Sequence, residues 1–352
     1  MRTIISRAHD YTVEEHSSVS AALAAIQQGE PPHFLIDSKV YELFADTLAA
    51  HVPANRLCVL EATEDSKAYG ALEPVFLELL EKHLKRTGSL VVIGGGVVQD
   101  AGCFIASVLA RGIRWSLLPT TLLAQADSCI GSKSSINIGR YKNQIGTFYP
   151  PHRVLLVPDF LCTLPFDEIR SGLGEVIKLQ LLAGEAGFRE LLGDLAGLAT
   201  ALPQDRTTIL ARWVGRSMDV KQPIIEADEF DRGPRLLLNY GHTFGHAYES
   251  TTHYAIPHGI AVILGMLTAT DISVRLGMTA PEHKAELMQS LLPWHEPYAA
   301  ELRPVGMDAL LLALSRDKKN SATGLTCIQI GKHTSELQSH SDLVCRLLLE
   351  KK

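Results

Sequence analysis

Short apolar runs alternate with longer amphipathic stretches over the first half of the chain. The apolar runs predict strands at residues 33–38, 56–62, 89–93, 114–118 and 152–157, and the stretches between them predict helices, notably at residues 71–85 and 100–110. Buried strands separated by helices are typical of a parallel sheet made of βαβ units. The pattern therefore predicts an α/β domain, whose ligands bind beyond the carboxyl ends of the strands.

The pattern changes after Thr163-Leu164-Pro165. Apolar positions then recur with a helical period and predict helices at residues 166–183, 209–225, 241–252, 259–276 and 281–291, with one late strand at residues 325–330. A chain of 352 residues is also long enough for two domains. We expect an α/β domain with a parallel sheet and a nucleotide-binding site over residues 1–163, followed by a mostly α-helical domain over residues 164–352.

Composition and charge narrow the class of protein. The net charge of −6 argues against a nucleic acid or an anionic membrane as a partner, because either favours a clustered basic face. The six cysteines are scattered without a CxxC pair, most of them in apolar runs, which predicts buried free thiols in a reducing compartment. No signal peptide is evident, and no window approaches the roughly 18 to 20 apolar residues of a membrane span. We therefore expect a cytoplasmic protein.

Three glycines, Gly94 to Gly96, follow the predicted strand at residues 89–93 and open a helix. Glycines at this position allow the backbone to approach a phosphate, and the helix N-terminus supplies amide donors. The spacing is not the GxGxxG of the usual dinucleotide fingerprint, so a simple tight turn is the alternative interpretation. Thr120 and Thr121 follow another strand and offer hydroxyl groups at the same sheet edge.

Basic side chains occur in two further segments. Lys133 and Lys142 lie nine residues apart among serines and asparagines, a composition that suits a phosphorylated, hydroxyl-rich ligand but also an ordinary solvated loop. Arg111 closes the preceding helix, where a cation also complements the helix dipole. Glu175 and Lys178 share one face of an apolar helix, so this pair is expected to be buried instead of forming a weak surface ion pair.

Three histidines concentrate the strongest candidate chemistry. His242 and His246 are four residues apart, and His258 follows shortly downstream. A helix from Asn239 onward would place Asn239, His242 and His246 on one stripe, four residues beyond Arg235. Two histidines and one carboxylate with an open position would form a catalytic, zinc-type site, and Glu175 is the best carboxylate candidate. The spacing alone leaves open whether all three histidines hold a metal.

Together these segments resemble the 3-dehydroquinate synthase family of sugar-phosphate cyclases. The matching runs keep their order over nearly the whole chain: EDSK at 64–67, GGGVVQD at 94–100, LPTTLLAQADS at 118–128, KN at 142–143, LGEVIK at 173–178, LLNYGHTFGHA at 237–247, PHG at 257–259 and RDKKN at 316–320. The two-domain prediction agrees with the fold of that family, a nucleotide-binding α/β domain followed by a helical domain.

The resemblance implies a metal, a cofactor and a set of substrate contacts. Glu175, His242 and His258 would ligate zinc or cobalt, while His246 would face the substrate phosphate. The residues implied to bind NAD are Asp37, Glu64, Lys67, Gly95, Gly96, Asp100, Thr120, Thr121, Leu123, Asp127, Lys133, Lys142, Phe160 and Thr163. Those implied to contact substrate are Asp127, Lys133, Lys142, Asn143, Lys178, Lys221, Arg235, Asn239 and either Lys318 or Lys319. Arg111 would reach the phosphate site of a neighbouring subunit, which implies a homodimer.

The resemblance also implies a reaction, the conversion of a seven-carbon keto-acid sugar phosphate (DAHP) to 3-dehydroquinate and phosphate. Arg235 favours this substrate, because cyclases that act on uncarboxylated sugar phosphates lack a carboxylate-binding arginine. The alternatives are a cyclase with another sugar phosphate, a metal-dependent polyol dehydrogenase, which would produce NADH, and a non-enzymatic protein that binds NAD and metal.

The sequence departs from the family pattern at several positions. Ile260 stands where an acidic residue usually follows the His-Gly pair, and such an acid is a candidate hydrogen-bond partner of His258. Ser132 and Ser134 alter the usual GGKT, and Gln99 replaces a glycine. These changes affect the expected substrate more than the expected chemistry.

Overall fold

The computed structural model describes residues 1–27, 30–139, 141–315, 327–330 and 337–340. The chain divides into two compact units. Unit 1 contains Met1–Pro165 and Ala201–Phe230, and unit 2 contains Phe166–Thr200 and Asp231–Lys352. The sequence pattern placed Ala201–Phe230 in the helical domain. This segment belongs to unit 1 because its long helix packs against the turn at Ala124–Ser128, where Lys221 pairs with Asp127.

The helices and strands follow one another along the chain as follows. The first part contains β1 (Arg2–Ile4), β2 (Tyr11–Glu15), α1 (Val19–Ile26), β3 (His33–Asp37), α2 (Ser38–Leu43), α3 (Ala45–Ala49), β4 (Leu57–Leu60), α4 (Glu73–Glu81), β5 (Ser89–Gly94), α5 (Gly96–Val108), β6 (Arg114–Pro119), β7 (Ile136–Ile138), β8 (Tyr141–Ile145), β9 (Arg153–Leu156) and α6 (Asp159–Cys162). The remainder contains α7 (Phe166–Ala183), α8 (Glu185–Leu195), α9 (Pro203–Ala227), α10 (His242–Thr251), α11 (His258–Arg275), α12 (Pro281–Leu291), α13 (Ala299–Leu302), α14 (Met307–Ser315), β10 (Cys327–Ile330) and β11 (Leu337–His340).

Unit 1 is built on a seven-stranded sheet in the order β1-β2-β9-β6-β5-β3-β4. Every neighbouring pair is parallel except β1 and β2, which are antiparallel. Apolar side chains of β3 and β5 lie in the core with Phe160 of α6, which meets Phe44 edge to face at 5.0 Å. The predicted parallel α/β sheet is confirmed, and the carboxyl ends of β3, β5 and β6 lie side by side at one edge.

Two elements of unit 1 differ from the sequence prediction. Strands β7 and β8 form an antiparallel hairpin where a polar loop was expected. Most residues of β8 are exposed, so the strand lacks the alternation of apolar and polar residues by which a strand is recognised in a sequence. The expectation of buried thiols holds for Cys58, Cys103 and Cys129 but is wrong for Cys162, which is exposed at the end of α6. The side chains of Cys327 and Cys345 lie outside the described residues.

Unit 2 is helical, and glycines set the closest helix contacts within it. A Cβ atom on Gly259 would overlap the backbone carbonyl of Ser171, and one on Gly174 would overlap the backbone of Gly259. Helices α7 and α11 therefore meet backbone to backbone at this point. Among the helices that the structure describes, none is long and apolar enough to cross a membrane.

The helix predicted at residues 241–252 is confirmed as α10, but it does not extend back to Asn239, so Asn239 does not share one helical stripe with His242 and His246. Residues Pro234–Asn239 form a 3₁₀ turn, and Gly241 adopts a left-handed conformation with φ of 78°. Helix α10 therefore begins only at His242, because a left-handed residue cannot continue a right-handed helix.

Candidate active site

Glu175, His242 and His258 form a compact group in unit 2. His242 and His258 are the first residues of α10 and α11, and Glu175 lies in α7 beside the glycine contact. Glu175 Oε1 is 3.4 Å from His242 Nε2 and 3.1 Å from His258 Nε2. One ligand atom from each residue lies within 4.8 Å of the other two. Three helices thus converge to bring together residues that are far apart in sequence.

The surroundings of Glu175 and His242 keep the first ionised and the second neutral. Burial alone would raise the pKa of Glu175, but the adjacent Lys178 ammonium and His242 hold that pKa well below its usual range. Lys178 pairs with Glu175 Oε2, and both side chains are almost fully buried, as the sequence predicted. Burial also lowers the pKa of His242 and keeps its imidazole neutral. An ionised carboxylate and a neutral imidazole are the forms that coordinate a metal.

His258 lies between two carboxylates. Its Nε2 faces Glu175, and its Nδ1 is 3.1 Å from Oε1 of Glu249 in α10. Burial opposes protonation of His258, but hydrogen bonds to the two carboxylates outweigh it and raise the pKa to about 10. Glu249 was not identified from the sequence, although it follows His242 by seven residues and so lies on the same face of α10.

The structure brings His246 close to the other two histidines. Its ring centroid lies 5.4 Å from that of His242 and 6.1 Å from that of His258, and its side chain is exposed. His246, Glu249 and His258 form a second group with metal-ligand spacing. Proximity therefore does not by itself separate a ligand from a substrate contact.

The donor set of the first group fits a divalent metal. Two imidazoles and one carboxylate, leaving further positions open, match the ligands of catalytic zinc sites, and cobalt accepts the same donors. The group is buried at Glu175 and more accessible at His258, whose side chain is 32% exposed. A small ligand can therefore approach from the His258 side.

The residues predicted to bind NAD gather at the carboxyl edge of the unit 1 sheet. Asp37 ends β3, Gly95 and Gly96 follow β5, and Thr120 and Thr121 follow β6. A Cβ on Gly95 would come within 2.7 Å of the Thr121 methyl group, whereas a Cβ on Gly96 would meet open space. The glycine loop at the N-terminus of α5 is thus tightly packed on one side and open on the other, which fits a pyrophosphate.

Charged side chains border this loop. Lys67 donates to Asp100 Oδ2 at 2.8 Å, and Asp100 Oδ1 accepts from the Ser135 backbone N–H at 3.0 Å. Lys142 lies 3.6 Å from Glu64, which also accepts from the Asn137 side chain. Of the remaining predicted NAD contacts, Leu123 precedes the turn at Ala124–Ser128, Phe160 is buried in the core and Thr163 is exposed beside it.

The predicted substrate contacts of unit 1 lie on separate segments with different surroundings. Asp127 Oδ1 pairs with Lys221 of α9 at 2.7 Å. Lys133 follows Ser132, whose φ is 66° and whose hydroxyl donates to the buried carboxylate of Glu229 at 3.1 Å. Asn143 is exposed in β8 with φ of 54°.

Arg111 lies on unusual backbone. Ala110 and Arg111 both have positive φ, at 50° and 64°, and Gly112 follows at 109°. Such conformations are costly for residues other than glycine and concentrate at functional positions. Arg111 is exposed on the surface of unit 1.

The predicted substrate contacts of unit 2 lie before α10. Arg235 is 5% exposed and lies in the 3₁₀ turn that ends at Asn239. The Asn239 side chain donates to the Leu236 carbonyl at 3.2 Å. Lys318 and Lys319 lie outside the described residues.

Solved structures with a similar fold include sugar-phosphate cyclases. A structure of 2-epi-5-epi-valiolone synthase from Streptomyces hygroscopicus subsp. jinggangensis, with NAD+ and Zn2+ bound, superposes with a TM-score of 0.83 at 23% identity and covers 99% of this chain and 98% of that one. A 2-deoxy-scyllo-inosose synthase complexed with carbaglucose-6-phosphate, NAD+ and Co2+ gives a TM-score of 0.77 at 19% identity, with 99% and 98% coverage. The fold is therefore that of the sugar-phosphate cyclases.

Sequence comparison defines the family within that class. Models of the 3-dehydroquinate synthase N-terminal and C-terminal regions match residues 57–171 and 172–320. The 3-dehydroquinate synthase of Enterococcus faecalis is 32% identical over 337 residues, which cover 94% of this chain and 92% of the relative. That of Bartonella bacilliformis is 36% identical over 304 residues, covering 83% and 79%. The chain belongs to the 3-dehydroquinate synthase family, which confirms the resemblance seen in the sequence motifs.

Proposed function

We propose that this chain converts DAHP to 3-dehydroquinate and phosphate, with NAD and a divalent metal as cofactors. The main support for this proposal is the group of Glu175, His242 and His258, with the buried side chain of Lys178 paired to Glu175. Curated relatives named 3-dehydroquinate synthase support the same activity.

The reaction needs a hydroxyl to be oxidised, an adjacent proton removed, phosphate expelled, the ketone reduced again, and the ring opened and reclosed by an aldol step. NAD would supply reversible hydride transfer, and the metal would supply the Lewis acidity that lowers the pKa of a hydroxyl and polarises a carbonyl. Glu175, His242 and His258 would hold zinc or cobalt, and the glycine loop with Asp100 and Lys67 would border NAD.

The remaining residues would bind and orient the substrate. Arg235, which is buried, can form a bidentate hydrogen bond to a carboxylate, and Asn239 follows it in the same turn. His246 and Lys133 would neutralise the phosphate. Arg111, exposed on left-handed backbone, would reach the phosphate site of a second copy in a homodimer.

The direct test is phosphate release from DAHP. Purified chain is incubated with DAHP, NAD and either zinc or cobalt, and both phosphate and 3-dehydroquinate are assayed. We expect both products in equal amounts, and removal of the metal with a chelator should abolish their formation. Absence of phosphate release at every metal loading would refute the proposal.

A further inference from the structure

His258 is held from both sides, and the partner of its Nδ1 atom has no role in the reaction described so far. Oε1 of Glu249 lies 3.1 Å from Nδ1, while Nε2 lies 3.1 Å from Glu175. The Glu249 side chain is only 13% exposed, so water competes weakly for this hydrogen bond. We propose that Glu249 is a positioning residue that orients His258 so that its Nε2 binds the metal. This inference rests on the proposed metal site.

The chemistry of the two groups fixes the direction of the hydrogen bond. An ionised carboxylate can only accept, so His258 Nδ1 must carry the hydrogen that is donated to Glu249. Nε2 is then the atom left to bind a metal, which would take the place of the proton that Nε2 donates to Glu175 in the metal-free protein. Partners of this kind fix the tautomer and ring orientation of metal-binding histidines.

The placement of Glu249 on its helix supports the assignment. Helix α10 carries both His242, a proposed ligand, and Glu249, which contacts the ligand on α11. Ile260, two residues after His258, is fully buried and has no polar side-chain atom to offer. Glu249 therefore provides the carboxylate that position 260 does not.

A different role for Glu249 would follow if the metal were bound by His246, Glu249 and His258. In that arrangement Glu249 would be a ligand and Glu175 would not. Burial favours the first arrangement, because Glu175 is 1% exposed and faces both His242 and His258, whereas His246 is exposed to water.

Cobalt affinity of the full-length chain tests the proposal. Co2+ dissociation constants are measured by chelator competition at one pH, with the absorption spectrum of bound Co2+ and the melting temperature of the metal-free protein recorded in parallel. The variants are Glu249→Ala, Glu249→Gln and, as a matched control, Asp271→Asn. Asp271 lies on α11 like His258 and pairs with Arg275 and Lys284, away from the histidines.

We expect Glu249→Ala to weaken Co2+ binding about 10- to 100-fold, the usual cost of losing such a partner. Glu249→Gln should recover part of the affinity, because an amide oxygen still accepts from Nδ1–H, and Asp271→Asn should leave the affinity unchanged. A Glu249→Ala variant that binds Co2+ as tightly as the unaltered chain would overturn the proposal. Two further variants, His246→Ala and Glu175→Gln, test the alternative ligand set. The proposal would also be overturned if Glu249→Ala and His246→Ala both lost Co2+ while Glu175→Gln retained it. Failure of the unaltered chain to bind Co2+ would overturn it as well.

Failure of the proposed role of Glu249 can be distinguished from failure of the proposed function. If the expected affinities are found but DAHP releases no phosphate, the proposed function fails and the role of Glu249 stands. If DAHP is converted while Glu249→Ala retains full Co2+ affinity, the role of Glu249 fails and the proposed function stands.

Discussion

At the scale of single residues, His242 and His246 look equivalent in sequence but differ in surroundings. His242 Nε2 is 3.4 Å from Glu175, and its side chain is 13% exposed, whereas His246 is exposed at the next turn of α10. We therefore predict that His242→Ala loses bound metal, while His246→Ala keeps the metal and loses substrate affinity. Metal content and the KM for DAHP measure the two effects separately. Equal metal loss in both variants would contradict the assignment.

Arg235 should decide which substrate is accepted. Replacement by leucine would remove the bidentate hydrogen bond that we propose between Arg235 and the substrate carboxylate, and hydrogen bonds to charged groups contribute about 1.5 to 3 kcal/mol each. We predict that Arg235→Leu lowers kcat/KM for DAHP by roughly 100-fold or more, while Arg232→Leu, which alters an exposed arginine nearby, has little effect. Unchanged kinetics in Arg235→Leu would indicate an uncarboxylated sugar phosphate.

The contact between Glu249 and His258 could not be predicted from the sequence. The pattern of histidines identified the cluster, but a glutamate on a polar helix face has no sequence signal that separates it from a solvated charge. Only the packing of α10 against α11 places its carboxylate at His258.

At the scale of elements, apolar periodicity predicted the long helices well. The bounds of α7 and α12 agree with the predicted ranges. The five strands predicted in the first half of the chain all occur, and the late predicted strand occurs as β10. Strands β1 and β2 were not predicted, because each is short and β2 mixes polar residues with its buried Tyr11 and Val13. Left-handed backbone at Gly241 likewise moved the start of α10, because single-residue conformations do not change hydrophobic periodicity.

The glycine contact between α7 and α11 holds Glu175 and His258, two of the proposed metal ligands, close together. We predict that Gly259→Ala costs about 1 to 3 kcal/mol of stability by overpacking and also weakens Co2+ binding, because the added Cβ would push His258 away from Glu175. Gly193→Ala in α8 is the control, since its Cβ would meet nothing within 4 Å. Melting temperature and Co2+ affinity measure both effects. A Gly259→Ala variant as stable as Gly193→Ala would contradict this role.

At the scale of the whole molecule, stability should fall in acid partly through one ion pair in the unit 1 sheet. Arg153 on β9 donates to both carboxylate oxygens of Glu14 on β2, at 2.9 and 2.6 Å, and this lowers the pKa of Glu14 to about 2. Because the folded pKa is depressed, the stabilisation is present above the unfolded pKa and is lost as pH falls from about 4.5 toward 2.

Glu14→Gln isolates this contribution. We predict that the variant has a lower melting temperature than the unaltered chain at pH 7, by an amount equivalent to about 1 to 3 kcal/mol, and that the difference shrinks as the pH approaches 3. Thermal unfolding across this pH range measures it. A difference that stays constant with pH would show that Glu14 acts through packing instead of charge.

If the proposed function is correct, NAD acts as a catalyst in a phosphate-eliminating cyclisation and is not consumed. The most direct measurement follows 3-dehydroquinate and NADH together during turnover of DAHP, with NAD present in smaller amount than substrate. We expect many molecules of 3-dehydroquinate to form per NAD, with no NADH accumulating. Accumulation of NADH in proportion to product, as in a polyol dehydrogenase, would contradict it.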